Sequence, residues 1–339
     1  MTVAINDSAS GEAPFGALAR TRASRPSIRW AAIIPPAAWA ALAAITAYWP
    51  QAQDWPRTNE LVGIAAAIAV VLVVSAVLNG HLGAFGVRLR HWEPWFTALA
   101  VLATVWELVT AKLELLPTPF FMPPQAILEV YLEEGDKLLE CIAYSALLLA
   151  KGVVIGASVG FVLGVALGWS PRVSYWGHPI LRVIGPLPAT AWLPFAFFVF
   201  PTSSSASVFL IALAAGIPVT ILTWSGISSV SSAYYDIART LGASKSFLVL
   251  KVAIPAAMPH VFVGLFMGLA ASFAVLVVAE MMGVKAGLGW YLQWAQGWGA
   301  YANMYAALFV LALVCASLVA LLFKVRDHLL AWQKGLLRW

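Results

Sequence analysis

The chain has 339 residues, 62% of them hydrophobic and only 10% charged, with a mean hydropathy of +0.86. A soluble domain carries about 25% charged residues, so this composition excludes one and places the chain in a bilayer. The net charge of +5, from 20 Lys and Arg against 15 Asp and Glu, is distributed as topology requires and gives no reason to expect a nucleic-acid partner.

Residues 1–30 are polar and include Arg20, Arg22, Arg25 and Arg29. No apolar run follows closely enough on Met1 for a cleavable signal peptide, so a flexible cytoplasmic tail is expected. A hydrocarbon core about 30 Å thick needs roughly 20 apolar residues per helix. Such runs fall at 31–49, 61–78, 95–111, 145–168, 182–200, 206–224, 261–283 and 304–323. They lack the alternation of membrane β-strands. The expected fold is therefore all-α and integral to the membrane, a polytopic bundle of about eight transmembrane helices.

Lys and Arg concentrate on the cytoplasmic side of membrane proteins. With the N-terminus inside, 15 of the 20 basic residues fall in inside segments. The outside keeps Arg57, Lys112, Lys137 and Lys285, with Lys151 just inside a span, and its 112–144 loop is acidic, with Glu114, Glu129, Glu133, Glu134, Asp136 and Glu140. An even number of spans then leaves both termini in the cytoplasm. Glu107, in "TVWELV", reads as an interface residue.

In "GVVIGASVGFVLGVALG", Gly152, Gly156, Gly160, Gly164 and Gly168 recur every four residues. At 3.6 residues per turn they form one drifting strip, which lets another helix backbone approach closely. "GPLPATAWLP" sets Pro186, Pro188 and Pro194 around Trp192 inside a span. Broken backbone at membrane depth is tolerated only inside protein or along a cavity, so these residues are candidates for the translocation pathway. Glu280, near the end of an apolar run, belongs in the bundle interior or in water, either as a pathway group or as a hydrogen-bond anchor for the glycine-rich loop after it. In "GLGWYLQWAQGWGAYANMY", Trp290, Tyr291, Trp294, Trp298, Tyr301 and Tyr305 read as an aromatic belt at the lipid interface.

The longest cytoplasmic loop, 225–260, contains "YYDIARTLGASKSFLVLKVAIPAAMP". A helix from about Ser231 to Leu241 should end at Gly242, which reaches positive φ without strain. Ser244 can cap a second helix, expected to stop near Pro255. This hairpin could lie on lipid head groups or enter a protein groove. Its small residues beside Asp236 and Arg239 favour the groove.

Asp236-Ile237-Ala238, Gly242 six residues after the Asp, and Val252-Ala253-Ile254-Pro255 resemble the "EAA" loop of ABC importer permeases: E-A-A, three residues, G, nine residues, I-x-L-P. Asp replaces Glu and Ile replaces the first Ala. "FMPPQAILEV" (121–130), "GPLPATAWLPFAFFVF" (185–200), "TLGASKSFLVLKVAIPAAMPHVFVGL" (240–265) and "VVAEMMGVKAGLGWYL" (277–292) resemble, in order, permeases of the nitrate/sulfonate/taurine/bicarbonate group. The similarity covers about 95–339 and six of the expected helices. It implies a type I importer permease core over 91–339, preceded by two additional helices over 31–90.

The resemblance also implies coupling to an ATPase through Asp236, Ala238, Arg239, Gly242, Ala243 and Pro255. It implies two ABC ATPase subunits that hold ATP and Mg, an extracytoplasmic solute-binding protein, a second copy of this chain, and a bacterial inner membrane. No cofactor or metal is expected in the chain itself. By the resemblance, "FPTSSSAS" (200–207) stands where relatives usually have a Phe-Gly pair, so a different extracytoplasmic end of the pathway is expected here.

No catalytic set appears. The five His are scattered, "GASKS" lacks the second glycine of a phosphate loop, and Cys141 and Cys315 have neither redox nor zinc spacing. The rival class, a secondary transporter or channel not powered by ATP, calls for repeats or embedded ionisable relays, and the sequence shows neither.

Overall fold

The computed structural model describes residues 27–77 and 83–332. The tail expected over 1–30 lies outside the described residues as far as 26, as do Lys334 and Arg338. The described residues are helical and include no strand. Among them six helices are long and apolar enough to cross a bilayer, or seven if one bent pair counts as a single span, and Ile33–Tyr48 adds a shorter apolar helix. Each of the eight apolar runs falls in one of these.

The chain divides into two compact units, Met1–Trp49 with Asn59–Val105, and Pro50–Thr58 with Trp106–Trp339. The first is built from α1 (Ser27–Tyr48), α2 (Thr58–Val77) and most of α3 (Gly83–Glu107). In it Leu42, Ala43 and Ala65 are buried together, and the Trp39 indole N–H donates to the Phe96 carbonyl at 3.1 Å. Val70, Val71, Val73 and Val74 are exposed on neighbouring positions of α2, as suits a helix surrounded by lipid.

The second unit holds α4 (Pro124–Glu133), α5 (Gly135–Trp169), α6 (Pro171–Ile184), α7 (Leu193–Val199), α8 (Ser203–Ser228), α9 (Ser232–Thr240), α10 (Lys245–Phe247), α11 (Ile254–Met281), α12 (Leu288–Gly297) and α13 (Tyr301–Leu329). Contacts set the helix directions. Gly152 meets Ile211 and Gly168 meets Ile227, so α5 and α8 run parallel. The chain between them must therefore cross back, and it does so through α6 and α7, bent by 88° around the break. The 182–200 run is thus a broken span. Gly268 meets Ala215 while Gly226 meets His260 and Ala257, so α11 runs antiparallel to α8. One end of the unit accordingly gathers the start of α5, the end of α11 and α12. The opposite end carries α9 and α10.

The core is an apolar cluster in which Leu148, Leu210, Ile211, Phe273 and Leu276 join α5, α8 and α11. Pro255 does not stop the second helix of the hairpin, as the sequence led us to expect. Lys245–Met281 is a single 37-residue helix. A π-turn over Leu248–Ala253 absorbs the proline: the Ile254 N–H reaches back five residues to the Val249 carbonyl. This shift in register accommodates a residue without a donor.

Candidate functional site

The hairpin at the α9 end is built by local chemistry. Ser231 caps α9 by accepting from the Ala233 N–H at 3.4 Å. At the other end Gly242 has φ +79°, its N–H bonds to the Arg239 carbonyl at 2.9 Å, and the Ala243 N–H bonds to the Ala238 carbonyl at 3.0 Å. These two bonds form a Schellman cap, which needs a residue free to adopt positive φ. Ser244 then caps α10, accepting from the Phe247 N–H at 3.3 Å.

Most of this hairpin is exposed. Tyr234, Ile237 and Leu241 are 61%, 61% and 82% exposed. At spacings of three and four they line one face of α9, an apolar stripe exposed at this end of the unit. Asp236 and Arg239 pair at 3.2 Å on the opposite face, an exposed contact worth little in stability. Ala238 and Ala243 are half-buried, and Pro255 lies just beyond the π-turn of the long helix. The structure thus brings Asp236, Ala238, Arg239, Gly242 and Ala243 together in one hairpin and joins Pro255 to it through the π-turn.

At the other end Glu280 is fully buried. Ser145 Oγ donates to its Oε1 at 2.7 Å, and the Gly289 N–H donates to its Oε2 at 2.8 Å. The Ser145 oxygen in turn accepts from the Leu288 N–H at 2.8 Å. One carboxylate and one hydroxyl thereby tie α5, α11 and the first turn of α12. Gly287, at φ +132°, completes the knot, because a Cβ there would lie 2.5 Å from the Glu280 carboxyl. With both carboxylate oxygens occupied, the geometry is that of an anchor.

Pro186, Pro188 and Pro194 are exposed around the break, and Trp192 is half-buried with its indole N–H sequestered and, among the described residues, without a hydrogen-bond partner. Ala189 and Ala196 share one apolar cluster with Leu276 and Ala279, so the break packs against the outer part of α11 near Glu280. Gly152, Gly156, Gly160, Gly164 and Gly168 all face α8, meeting Ile211, Ala212, Gly216, Thr223 and Ile227 in turn.

Two polar clusters were missed from the sequence. Glu107, expected at the interface, is instead fully buried, where it pairs with Lys112 at 3.8 Å and accepts from Gln125 Nε2 at 2.7 Å. A five-residue spacing does not bring side chains together on an α-helix. Here a π-turn over Leu108–Lys112 intervenes, and only that local geometry pairs them. In the second cluster the Tyr291 hydroxyl donates to Glu134 Oε2 at 2.7 Å, and Asn303 Nδ2 donates to Glu134 Oε1 at 2.8 Å. Tyr291 therefore belongs to the core, unlike Trp298, which is 78% exposed. Burial, and then the Glu134 hydrogen bond, push the Tyr291 phenol above its usual value.

Apolar spanning helices with a charged, exposed helical hairpin at one end define a polytopic α-helical membrane protein. The chain belongs to the family of binding-protein-dependent transport system inner membrane components, whose profile matches residues 153–333. It is 29% identical over 184 residues to a nitrate import permease of Synechococcus elongatus, covering 51% of this chain and 65% of that one. It is 32% identical over 168 residues to a taurine transport system permease of Escherichia coli, covering 48% and 61%. A putative aliphatic sulfonates permease of Bacillus subtilis is 28% identical over 173 residues, covering 50% and 62%. The chain thus spans less than two thirds of the length of these relatives. Among solved structures, an inward-facing methionine ABC transporter aligns with a TM-score of 0.45 at 19% identity, covering 59% of this chain and 95% of that one.

Proposed function

We propose that the chain is the membrane-spanning permease subunit of an ATP-driven importer for a small anionic solute such as nitrate, a sulfonate or taurine. In this reading it works as a homodimer with two copies of a separate ATPase and an extracytoplasmic solute-binding protein. ATP and Mg are bound by the ATPase, and the chain itself carries no cofactor. It lies in a bacterial inner membrane with the α9–α10 end and both termini in the cytoplasm.

The observation that carries the reading is the α9 hairpin: a capped helix with an apolar stripe of Tyr234, Ile237 and Leu241 that nothing else among the described residues covers. A stripe of this length with a charged opposite face suits a groove in a soluble partner. The mechanical link follows from the continuous Lys245–Met281 helix. At 1.5 Å per residue it is about 55 Å long, against a hydrocarbon core of about 30 Å, so it projects well beyond the bilayer. ATPase closure moves the hairpin, and the helix carries that movement to the Glu280 knot and α12. The two bundles then exchange outward and inward openings, a two-state change biased by differential contacts.

A photo-crosslinking side chain placed at Ile237 tests the docking directly. In native membranes it should trap a phosphate-loop ATPase in high yield, and an equivalent probe at Asp327 in α13 should not. Crosslinking to lipid alone, with no protein adduct, would show that the hairpin is a surface anchor.

A further inference from the structure

We propose that Lys151, with the paired hydroxyls of Tyr144 and Ser204, forms a small-oxyanion subsite on the translocation pathway near its extracytoplasmic end. This rests on the importer reading above and adds to it the place where the solute is held inside the permease.

Lys151 lies near the middle of the 35-residue α5, on a helix whose exposed neighbours Leu147, Val154 and Ile155 are apolar. It is exposed, and among the described residues no carboxylate pairs with it. A lysine inside a span is costly against lipid, which favours a water-filled cavity or the bundle interior for it. A cavity of about 590 Å³ lies beside it, a volume within the usual range for small-molecule sites.

The lining of this cavity is selective in kind. Phe200, Phe209 and Leu148 supply apolar walls, while Lys151, Tyr144 and Ser204 supply polar atoms. The Tyr144 and Ser204 hydroxyls lie 2.8 Å apart and share one hydrogen bond. Two hydroxyls have two protons and one shared bond uses one, so the other remains to donate to a guest. The neighbouring Thr202 and Ser205 hydroxyls are consumed in capping α8. The cavity therefore offers one ammonium and one free hydroxyl proton, and no carboxylate lines it, which is the donor set of a small oxyanion. Its Ser204 hydroxyl comes from "FPTSSSAS" (200–207) and its Tyr144 hydroxyl from α5.

A second cleft of about 360 Å³ shares Ile155, Phe209 and Ala212 with the first and follows the glycine strip to Thr220. Its lining is almost wholly apolar, so the first cavity is where an anion would rest and the second offers it no hold.

The test uses the complete transporter, with its ATPase and binding protein, in proteoliposomes, with labelled nitrate, taurine and bicarbonate as probes. Loss of a hydrogen-bonded charge should lower uptake kcat/KM in Lys151→Gln by about tenfold or more, with Lys151→Arg within about threefold of wild type. Complex assembly should be retained in both variants. The double variant Tyr144→Phe, Ser204→Ala should show a smaller loss, about threefold to fivefold. Wild-type uptake by Lys151→Gln, an equal loss in Lys151→Arg, or a parallel loss of assembly would each overturn the subsite while leaving the importer reading intact. Failure of the wild-type complex to carry any probe overturns the anion-importer reading itself, and the subsite with it.

Discussion

A carboxylate within an apolar span costs about 3 kcal/mol near the bilayer centre, and Glu280 offsets that cost with hydrogen bonds to Ser145 and Gly289. Replacing it with Gln turns one acceptor into a donor that faces other donors. Glu280→Gln should therefore lower stability by about 1–3 kcal/mol, read as a reduced melting temperature in detergent. An unchanged melting temperature would mean that the knot bears no load. Tyr291 makes a pH-dependent contribution. Its phenol is pushed up in the folded state, so the associated stability is complete below about pH 10 and declines as pH rises above it. Thermal melts in alkaline buffer should fall less steeply in Tyr291→Phe than in the unsubstituted chain. At this scale Gly242 was legible, because positive φ after a helix has a known sequence signature. The Glu107–Lys112 pair was not, since it depends on a π-turn that no periodicity announces.

Between elements, the decisive contact is α5 on α8. A Cβ built on Gly156 would overlap the backbone carbonyl of Ala212, which cannot rotate away as a side chain could. Gly156→Leu should force the helices apart and destabilise the bundle by about 1–3 kcal/mol or more, visible as lower yield of folded protein and a lower melting temperature. Gly135→Leu, at a site where a Cβ meets nothing, is the matched control. The strip was readable from its period of four, but the partner helix was not, because periodicity says which face is small and nothing about what meets it. The apolar runs likewise located every span, whereas the 88° break within 182–200 and the passage of the long helix through Pro255 depended on backbone adjustments outside the hydropathy pattern. Proline is a reliable stop only where the hydrogen-bond register cannot shift.

At the largest scale, a single long helix joins the exposed hairpin at one end of the second unit to the buried knot at the other. Gly242 is the point at which that chain of parts can be cut without touching the bundle, since a Cβ there meets nothing and only the positive φ objects. A β-branched residue at φ +79° costs about 1–2 kcal/mol locally and distorts the cap. The most direct measurement is ATP-dependent solute uptake by the reconstituted transporter carrying Gly242→Val, alongside its insertion and yield. Insertion should be normal and uptake lost or reduced at least about tenfold, because the docked helix no longer transmits ATPase closure. Normal insertion with uptake at the unsubstituted rate would contradict it.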